Sequence, residues 1–232
     1  MVRVARDFSR ADLAGLIVAW GGTALLVSPA ARVLGAPTSL RTALIAQALF
    51  WSIGLGVFAI LHYGERDTLD SAWLRPFRWS SIAWGLALVA AYYAVLFPAG
   101  EWVRRTAGLS GFAQGMTSVM VFPLWYRTIA VLGAAIVEEF LFRGYTVTRL
   151  ARLTGSTWSA AAIALVGFSA LHGPMWGLGF VVEGLVSGTA MMAFFVWKKD
   201  LMAMMVAHGT IDAIAIVVMP MLSAWWRVPG YL

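Results

Sequence analysis

Stretches of mostly apolar residues recur along this 232-residue chain, and they constrain its fold more than any other feature. A helix needs about 20 such residues to cross the hydrocarbon core of a bilayer. The pattern predicts an all-α, polytopic transmembrane helical bundle of about seven spans, within a range of about six to eight. The predicted spans run approximately from Leu13 to Val33, Leu40 to His62, Ser80 to Pro98, Phe122 to Val147, Trp158 to His172, Trp176 to Trp197 and Leu201 to Trp225.

The composition excludes several classes of protein. Hydrophobic residues make up 61% of the chain and charged residues 12%, whereas soluble domains are about 45–50% apolar and about 25% charged. This difference excludes a soluble enzyme, a disordered segment and a nucleic-acid-binding module. The chain has no cysteine, which excludes disulfide bonds, iron–sulfur ligation and a thiol nucleophile.

The distribution of positive charge predicts the orientation of the chain in the membrane. With a cytoplasmic N-terminus, ten Lys and Arg residues fall on the cytoplasmic side and five on the opposite side, while Arg127 and Arg143 lie within the fourth span. Cytoplasmic loops carry the excess of Lys and Arg, so we expect an integral membrane protein with its N-terminus in the cytoplasm. The small number of Lys, two against fifteen Arg, and the short loops favour a bacterial inner membrane.

Ionisable side chains within spans are costly and therefore mark functional sites. Such residues are confined to the last four predicted spans, and the first three have almost none. This asymmetry suggests a supporting half and a working half of the bundle. The residues are Glu138, Glu139, Arg143, His172, Glu183, His208 and Asp212.

Two pairs of these residues are spaced i, i+4, which brings them to one face of a helix. Arg143 can neutralise Glu139, and Glu138, which points about 100° away, is then left to face a cavity. The alternative is a buried ion pair that only fixes helix packing. Asp212 can orient the ring of His208 or join it on a metal, or the two can form a local polar cap.

Two further residues allow more than one interpretation. His172 stands near the end of its span, where a histidine is usually interfacial or simply hydrogen-bonded. Glu183 precedes Gly184-Leu-Val-Ser-Gly188, a spacing of small residues that lets helices pack closely. Packing is the expected role of this motif, although Glu183 could line the same cavity as the other groups.

Two mechanisms of acyl-bond hydrolysis are open to these groups. In the first, Glu138, His172 and His208 bind zinc, since catalytic zinc takes three N or O ligands and one water. In the second, no metal is bound, Glu138 acts as a general base on a water held by His172, and His208 stabilises the oxyanion. The chain has no H-E-x-x-H motif, so the zinc arrangement common in soluble proteases is absent.

Three motifs follow one another in the second half of the chain: Glu138-Glu-x-x-x-Arg143, Phe168-x-x-x-His172 and His208-x-x-x-Asp212. Together they resemble the CPBP family, which comprises CAAX proteases and bacteriocin-processing proteins, is also called the Abi family, and includes the type II CAAX prenyl endopeptidases. The resemblance extends from about Ile129 to Val217. Each motif alone is weak, but their order and the E-E-F-x-F-R-G form of the first make the combination specific.

The resemblance implies a proteolytic site within the membrane. By motif position, Glu138 would be the catalytic carboxylate, supported by Glu139 and Arg143. His172 would act on the water or the metal, and His208 with the residue four positions later, Asp212, would complete the site. The family is described both as metalloproteases and as glutamate-dependent peptidases, so the resemblance is compatible with a zinc ion or with no cofactor.

The resemblance also divides the chain. Residues 1–121 would form N-terminal transmembrane spans and connecting loops, and residues 122–226 a CPBP-like catalytic core, within a single integrated bundle. The predicted function is that of an intramembrane metalloendopeptidase, which hydrolyses a membrane-associated, prenylated or leader peptide. The expected partners are membrane lipid and a peptide or membrane-protein substrate, without nucleic acid.

One position departs from the CAAX enzymes, which usually carry Asn where this chain has Asp212. Asn can donate a hydrogen bond to an oxyanion, whereas ionised Asp can only accept one. Asp212 therefore suits a metal ligand or an orienting group for His208, which favours the metal mechanism. At about 1.5 Å per residue, His172 lies far from the cytoplasmic end of its span and His208 close to its own, so the groups meet only if helices tilt or are staggered.

Two other functions remain open from the sequence. In a proton-coupled transporter, the intramembrane Glu and His residues would relay protons, although the chain has no recognisable inverted repeat, which would support that function. In a non-catalytic relative, the same bundle would bind a partner protein in the membrane.

Overall fold

The computed structural model describes residues 7–27, 39–111 and 113–221, and in these residues it contains helices and no strand. The prediction of an all-α helical bundle is therefore confirmed. A short 3₁₀ turn, Leu69–Ala72, lies between the second and third helices. The helices in the described residues are α1 (Arg10–Val27), α2 (Leu40–Gly64), α3 (Trp79–Thr106), α4 (Ala113–Met120), α5 (124–154), α6 (Thr157–Trp176), α7 (Leu178–Lys198) and α8 (Leu201–Met221).

Six of these helices in the described part, α1 to α3 and α6 to α8, are long and apolar enough to cross a membrane. Helix α5 occupies the predicted fourth span, but its Glu and Arg residues keep it outside that set. Helix α3 continues to Thr106 instead of ending near Pro98, and so takes in the start of the predicted connection. The predicted first and seventh spans end at Val33 and Trp225, which lie outside the described residues.

Local signals in the sequence explain where α5 ends and where α6 and α8 begin. Gly155, at φ = 69°, adopts the left-handed conformation that favours glycine and ends α5. The Ser156 hydroxyl then accepts a hydrogen bond from the Ser159 amide at the start of α6. Asp200 accepts in the same way from the Ala203 amide, 3.1 Å away, at the start of α8.

The middle of α5, Ala134–Thr146, is a π-helix, in which amides bond to the fifth preceding carbonyl. This segment holds Glu138, Glu139 and Arg143, the first of the three motifs. Most of its side chains are buried among the other helices. Segments of π-helix are rare and often occur at functional sites.

Small residues let the site-bearing helices approach closely. A Cβ added to Gly209 would lie 2.9 Å from the Cβ of Ala135, so α8 packs tightly on the π-helical part of α5 next to His208. A Cβ on Gly188 would lie 2.8 Å from Leu165 on α6. The expected packing role of the Gly184–Gly188 motif is therefore confirmed.

A buried network of ion pairs joins the N-terminal helices to the end of α5. Arg149 Nη2 lies 2.6 Å from Glu65 Oε2, and both side chains are fully buried. Arg152 Nη1 lies 2.6 Å from Asp12 Oδ1 on α1, and its Nη2 lies 2.9 Å from Asp67 Oδ2 in the connection after α2. Three distant segments of the chain are thus held together by charge.

The Asp67 carboxylate takes part in this network outside the spans. Burial alone would raise the pKa of Asp67, but this effect is outweighed by a hydrogen bond from the Thr68 amide and by the nearby Arg152 and Arg149. The pKa of Asp67 is therefore lowered from its ordinary value. Its ionised form stabilises the folded state.

Candidate active site

Glu139 forms the centre of a buried polar chain. Its carboxylate is fully buried and accepts hydrogen bonds from Arg143, one turn away on α5, and from Nδ1 of His208 on α8, at 2.7 Å. The predicted Glu139–Arg143 pair is thus present. Glu139 is the ion-pair partner of Arg143, and an ionised carboxylate can only accept, so Nδ1 of His208 carries the hydrogen.

Glu138 lies in a different environment from its neighbour. Its side chain is 21% exposed, and its Oε2 lies 4.0 Å from Nε2 of His172 on α6. Neither an arginine nor a lysine of the described residues pairs with it. Glu138 and His172 thus face each other across a gap longer than a hydrogen bond.

The ring of His172 is held in one orientation. Nδ1 lies 2.9 Å from the carbonyl oxygen of Phe168, one turn earlier on α6. The Phe180 ring stacks on the imidazole at 5.3 Å between centroids, and the Phe168 ring meets it edge-on at 4.7 Å. These contacts leave Nε2 directed towards Glu138.

His208 and Asp212 keep the spacing that the sequence predicts. Nε2 of His208 lies 3.5 Å from Oδ2 of Asp212, one turn further along α8. The imidazole therefore stands between two carboxylates, Glu139 and Asp212. Both ring nitrogens face groups that can accept hydrogen bonds.

A cavity of about 110 Å³ opens beside these groups. Its wall includes Arg143, His172, His208 and Asp212, whereas Glu138 does not line it and lies 4.0 Å from Nε2 of His172. That Glu138 itself faces a cavity stays a prediction. The remaining wall is largely apolar, with Leu165, Phe168, Phe180, Met191 and Ile211.

Stagger between helices brings the two histidines to neighbouring glutamates. His172 is 15 residues beyond Thr157, or about 22 Å along α6, and His208 is 7 residues beyond Leu201, or about 10 Å along α8. Because α7 runs back between them, α6 and α8 start on the same side of the bundle. Both histidines reach α5 nonetheless, so the two helices are offset or tilted, as the sequence requires.

Two cavity residues were not assigned by the motifs. Glu183 is 3% exposed and lines the cavity from α7, so the possibility left open for it in the sequence is realised. Tyr92 reaches the same cavity from α3, and its hydroxyl donates to Oε1 of Glu183 at 3.4 Å. The N-terminal half therefore contributes directly to the site. The sequence signal that could have indicated this contribution is the pair of adjacent tyrosines, Tyr92 and Tyr93, in an otherwise apolar span.

A catalytic zinc ion needs three protein ligands and a bound water. Both histidines have Nδ1 on an oxygen acceptor, as zinc-bound histidines usually do. Within the described residues, however, no three His, Asp or Glu side chains are arranged to hold a metal. Glu138, His172 and His208 in these positions do not fit a three-ligand zinc site, and zinc stays a prediction.

The model of one family, described as type II CAAX prenyl endopeptidase Rce1-like, matches residues 120–214. This range contains all three motifs and the hydrogen-bonded residues Arg143, Glu139 and His208. This match agrees with the resemblance of the three motifs to the CPBP family of CAAX proteases. No curated protein and no solved structure matches the chain.

The family match and the six long apolar helices of the described residues indicate an integral membrane protein. The match begins nine residues before Ile129 and ends three residues before Val217, the expected limits. Helices α1 to α3 lie outside it, although α3 supplies Tyr92 to the cavity. The cytoplasmic N-terminus and the bacterial inner membrane stay predictions.

Proposed function

We propose that this protein is an intramembrane endopeptidase that cleaves membrane-tethered peptides with a water activated by Glu138. The observation that carries the proposal is the 4.0 Å separation of Glu138 Oε2 and His172 Nε2 beside the cavity. This distance is too long for a direct hydrogen bond and suits two groups that share one water.

The tautomer of His172 determines how such a water would be held. Nδ1 carries the hydrogen because the Phe168 carbonyl can only accept. Nε2 of the neutral ring is then an acceptor. The water would donate one hydrogen to Nε2 and the other to Glu138, which leaves its oxygen lone pairs free for attack.

The reaction follows from this arrangement. Glu138 takes a proton from the water as the oxygen attacks the carbonyl carbon, so that a C–O bond forms and the carbonyl oxygen becomes an oxyanion. The protonated Glu138 then gives its proton to the amide nitrogen as the C–N bond breaks. The products are a carboxylic acid and an amine, and general acid–base catalysis of this kind contributes about 10²–10⁴-fold in rate.

His208 is suited to stabilise the oxyanion. Its Nδ1–H donates to Glu139, and Arg143 balances the charge of that carboxylate. When Nε2 also carries a hydrogen, it donates to an oxyanion in the cavity without moving the ring. Asp212 would hold the imidazole in place, and its carboxylate does not itself donate.

The wall of the cavity supports an apolar substrate segment. Its aliphatic and aromatic side chains would bind the membrane-embedded part of a tethered, prenylated or leader peptide. Burial there would bring the scissile bond next to His172 and Glu138.

The test is cleavage in liposomes by the purified protein. A library of membrane-anchored peptides, with and without a prenyl group, is incubated with the wild type, and new termini are identified by mass spectrometry. We expect cleavage by the wild type and its loss in His172→Ala. The matched control is His62→Ala, because His62 is exposed on α2 and makes ring contacts with Phe58 and Tyr63 only in the described structure.

Two results would contradict the proposal. One is undiminished cleavage by His172→Ala, which would separate the activity from this site. The other is no cleavage of any peptide by a folded wild type. A Glu138-dependent proton flux in the same liposomes would then favour the transporter.

A further inference from the structure

Glu183 is a buried carboxylate in the catalytic cavity, and the proposed hydrolysis does not use it. It is 3% exposed and shares the cavity wall with His172 and His208. Its carboxylate accepts a long hydrogen bond from the Tyr92 hydroxyl at 3.4 Å. In the part of the chain that the structure describes, no lysine or arginine forms an ion pair with Glu183.

Three other buried or half-buried glutamates are paired with arginines. Glu65 binds Arg149, Glu139 binds Arg143, and Glu101 on α3 binds Arg104 at 2.7 Å. A buried carboxylate without a cation is costly in apolar surroundings. Glu183 is thus a carboxylate of the cavity, without a cationic partner among the described residues, that a positively charged ligand would stabilise.

The position of Glu183 is fixed by the packing of α3 on α7. A Cβ on Gly100 would lie 2.9 Å from Cγ of Glu183, so α3 packs directly against this side chain. Earlier on α3, the Tyr93 hydroxyl donates to the carbonyl of Ile211 on α8 at 3.1 Å, next to Asp212. Helix α3 therefore lines the cavity and presents Tyr92 to Glu183.

We propose that Glu183 and Tyr92 form a specificity subsite for the cationic side chain of a lysine or arginine near the scissile bond of the substrate. This inference rests on the proposed endopeptidase function. The carboxylate would pair with the ammonium or guanidinium group, and Tyr92 would turn its hydroxyl oxygen towards the same group as an acceptor. The apolar wall, with Phe180 and Met191, would cover the methylene stem of the side chain.

The test uses short, fluorescently labelled apolar peptides that differ at one position, which holds either lysine or norleucine. Each lysine peptide is paired with its norleucine counterpart, and the varied position differs from one pair to the next. Kd is measured on Glu138→Gln, so that binding is read without cleavage, and kcat/KM is measured on the wild type. At one position we expect lysine to be preferred by about tenfold or more, because a buried polar site rejects an analogue that cannot pair with it.

Substitutions at the subsite should remove this preference. Glu183→Gln keeps the shape of the side chain and should reduce the lysine-to-norleucine ratio to about one, while Tyr92→Phe should lower it less. Glu183→Asp retains the charge and should retain part of the ratio. The matched control is Thr189→Val, an exposed position on the same helix, which should keep the full ratio.

The inference is overturned if no position shows a lysine preference, or if Glu183→Gln weakens lysine and norleucine peptides equally. The second result would mean that Glu183 contacts the peptide backbone. A lysine preference in binding without any cleavage by the wild type would instead contradict the endopeptidase function and leave the subsite in place.

Discussion

Glu138 and Glu139 are adjacent in the sequence, but their surroundings predict opposite consequences of the same substitution. Glu139 is fully buried, and its carboxylate binds both Arg143 and His208. Glu138 is 21% exposed and has no direct hydrogen bond. We predict that Glu139→Gln mainly lowers stability and that Glu138→Gln mainly lowers activity.

The size of the stability effect follows from the contacts. Glu139→Gln leaves the Arg143 guanidinium buried without its counter-ion, and removing one partner of a buried pair costs about 3–5 kcal/mol. At about 2–4 °C per kcal/mol for a chain of this size, Tm should fall by about 6–20 °C. Glu138→Gln loses no ion pair with arginine, so its effect should stay below about 1 kcal/mol.

The assay is thermal unfolding of both variants in one detergent, alongside peptide cleavage. The double variant Glu139→Gln/Arg143→Met should recover much of the lost stability, because no charge is then left unpaired. Equal loss of stability in the two single variants would refute the reasoning. So would a double variant that is less stable than Glu139→Gln alone.

Three further predictions concern the rest of the molecule. Arg149→Met should lower the free energy of unfolding by about 3–5 kcal/mol, because it leaves buried carboxylates unpaired. Thermal unfolding measures this loss. Arg105→Met is the control and should be nearly neutral, because the Arg105 side chain is 74% exposed. The pKa of Asp67 is lowered in the folded state because hydrogen bonds and nearby arginines outweigh the effect of its burial. The ionised carboxylate therefore stabilises the folded state at pH values above the unfolded pKa of about 3.9, and this stabilisation is lost as pH falls through the folded pKa. Asp67→Asn should therefore flatten the acid side of the stability profile, and an unchanged slope would contradict this. Metal analysis tests the zinc prediction: because Glu138, His172 and His208 do not fit a three-ligand zinc site in these positions, we expect an active wild type without stoichiometric zinc, and zinc that is present in the wild type and absent from His172→Ala would contradict this.

The fold could be predicted from the sequence because hydropathy and helix length decide it in a membrane. Seven predicted spans correspond to helices in the structure. The bounds of α3 were wrong at its end, since Glu101 and Arg104 read as a polar connection. In the structure their mutual ion pair lets the helix continue to Thr106.

The contacts of the candidate site could be predicted where they are local. The pairs Glu139–Arg143 and His208–Asp212 depend only on one helical turn, and both are present. The meeting of Glu138 with His172 depends on the stagger of two helices, which spacing along the sequence does not determine.

The parts that could not be predicted depend on long-range packing. Tyr92 carries no motif, and only the approach of α3 to α7 brings it to Glu183. The pair between Arg152 and Asp12 joins residues 140 positions apart, so no local pattern indicates it. The two halves of the bundle share buried ion pairs and one cavity. The supporting and working halves are therefore less distinct than the sequence suggests.

The central claim is that Glu138 takes the proton from the attacking water, and kcat of Glu138→Gln tests it most directly. The measurement compares the wild type and Glu138→Gln in liposomes with one cleaved, membrane-anchored peptide. The account predicts a fall in kcat of about 10²–10⁴-fold with little change in KM or Tm. Cleavage by Glu138→Gln at the rate of the wild type would contradict it.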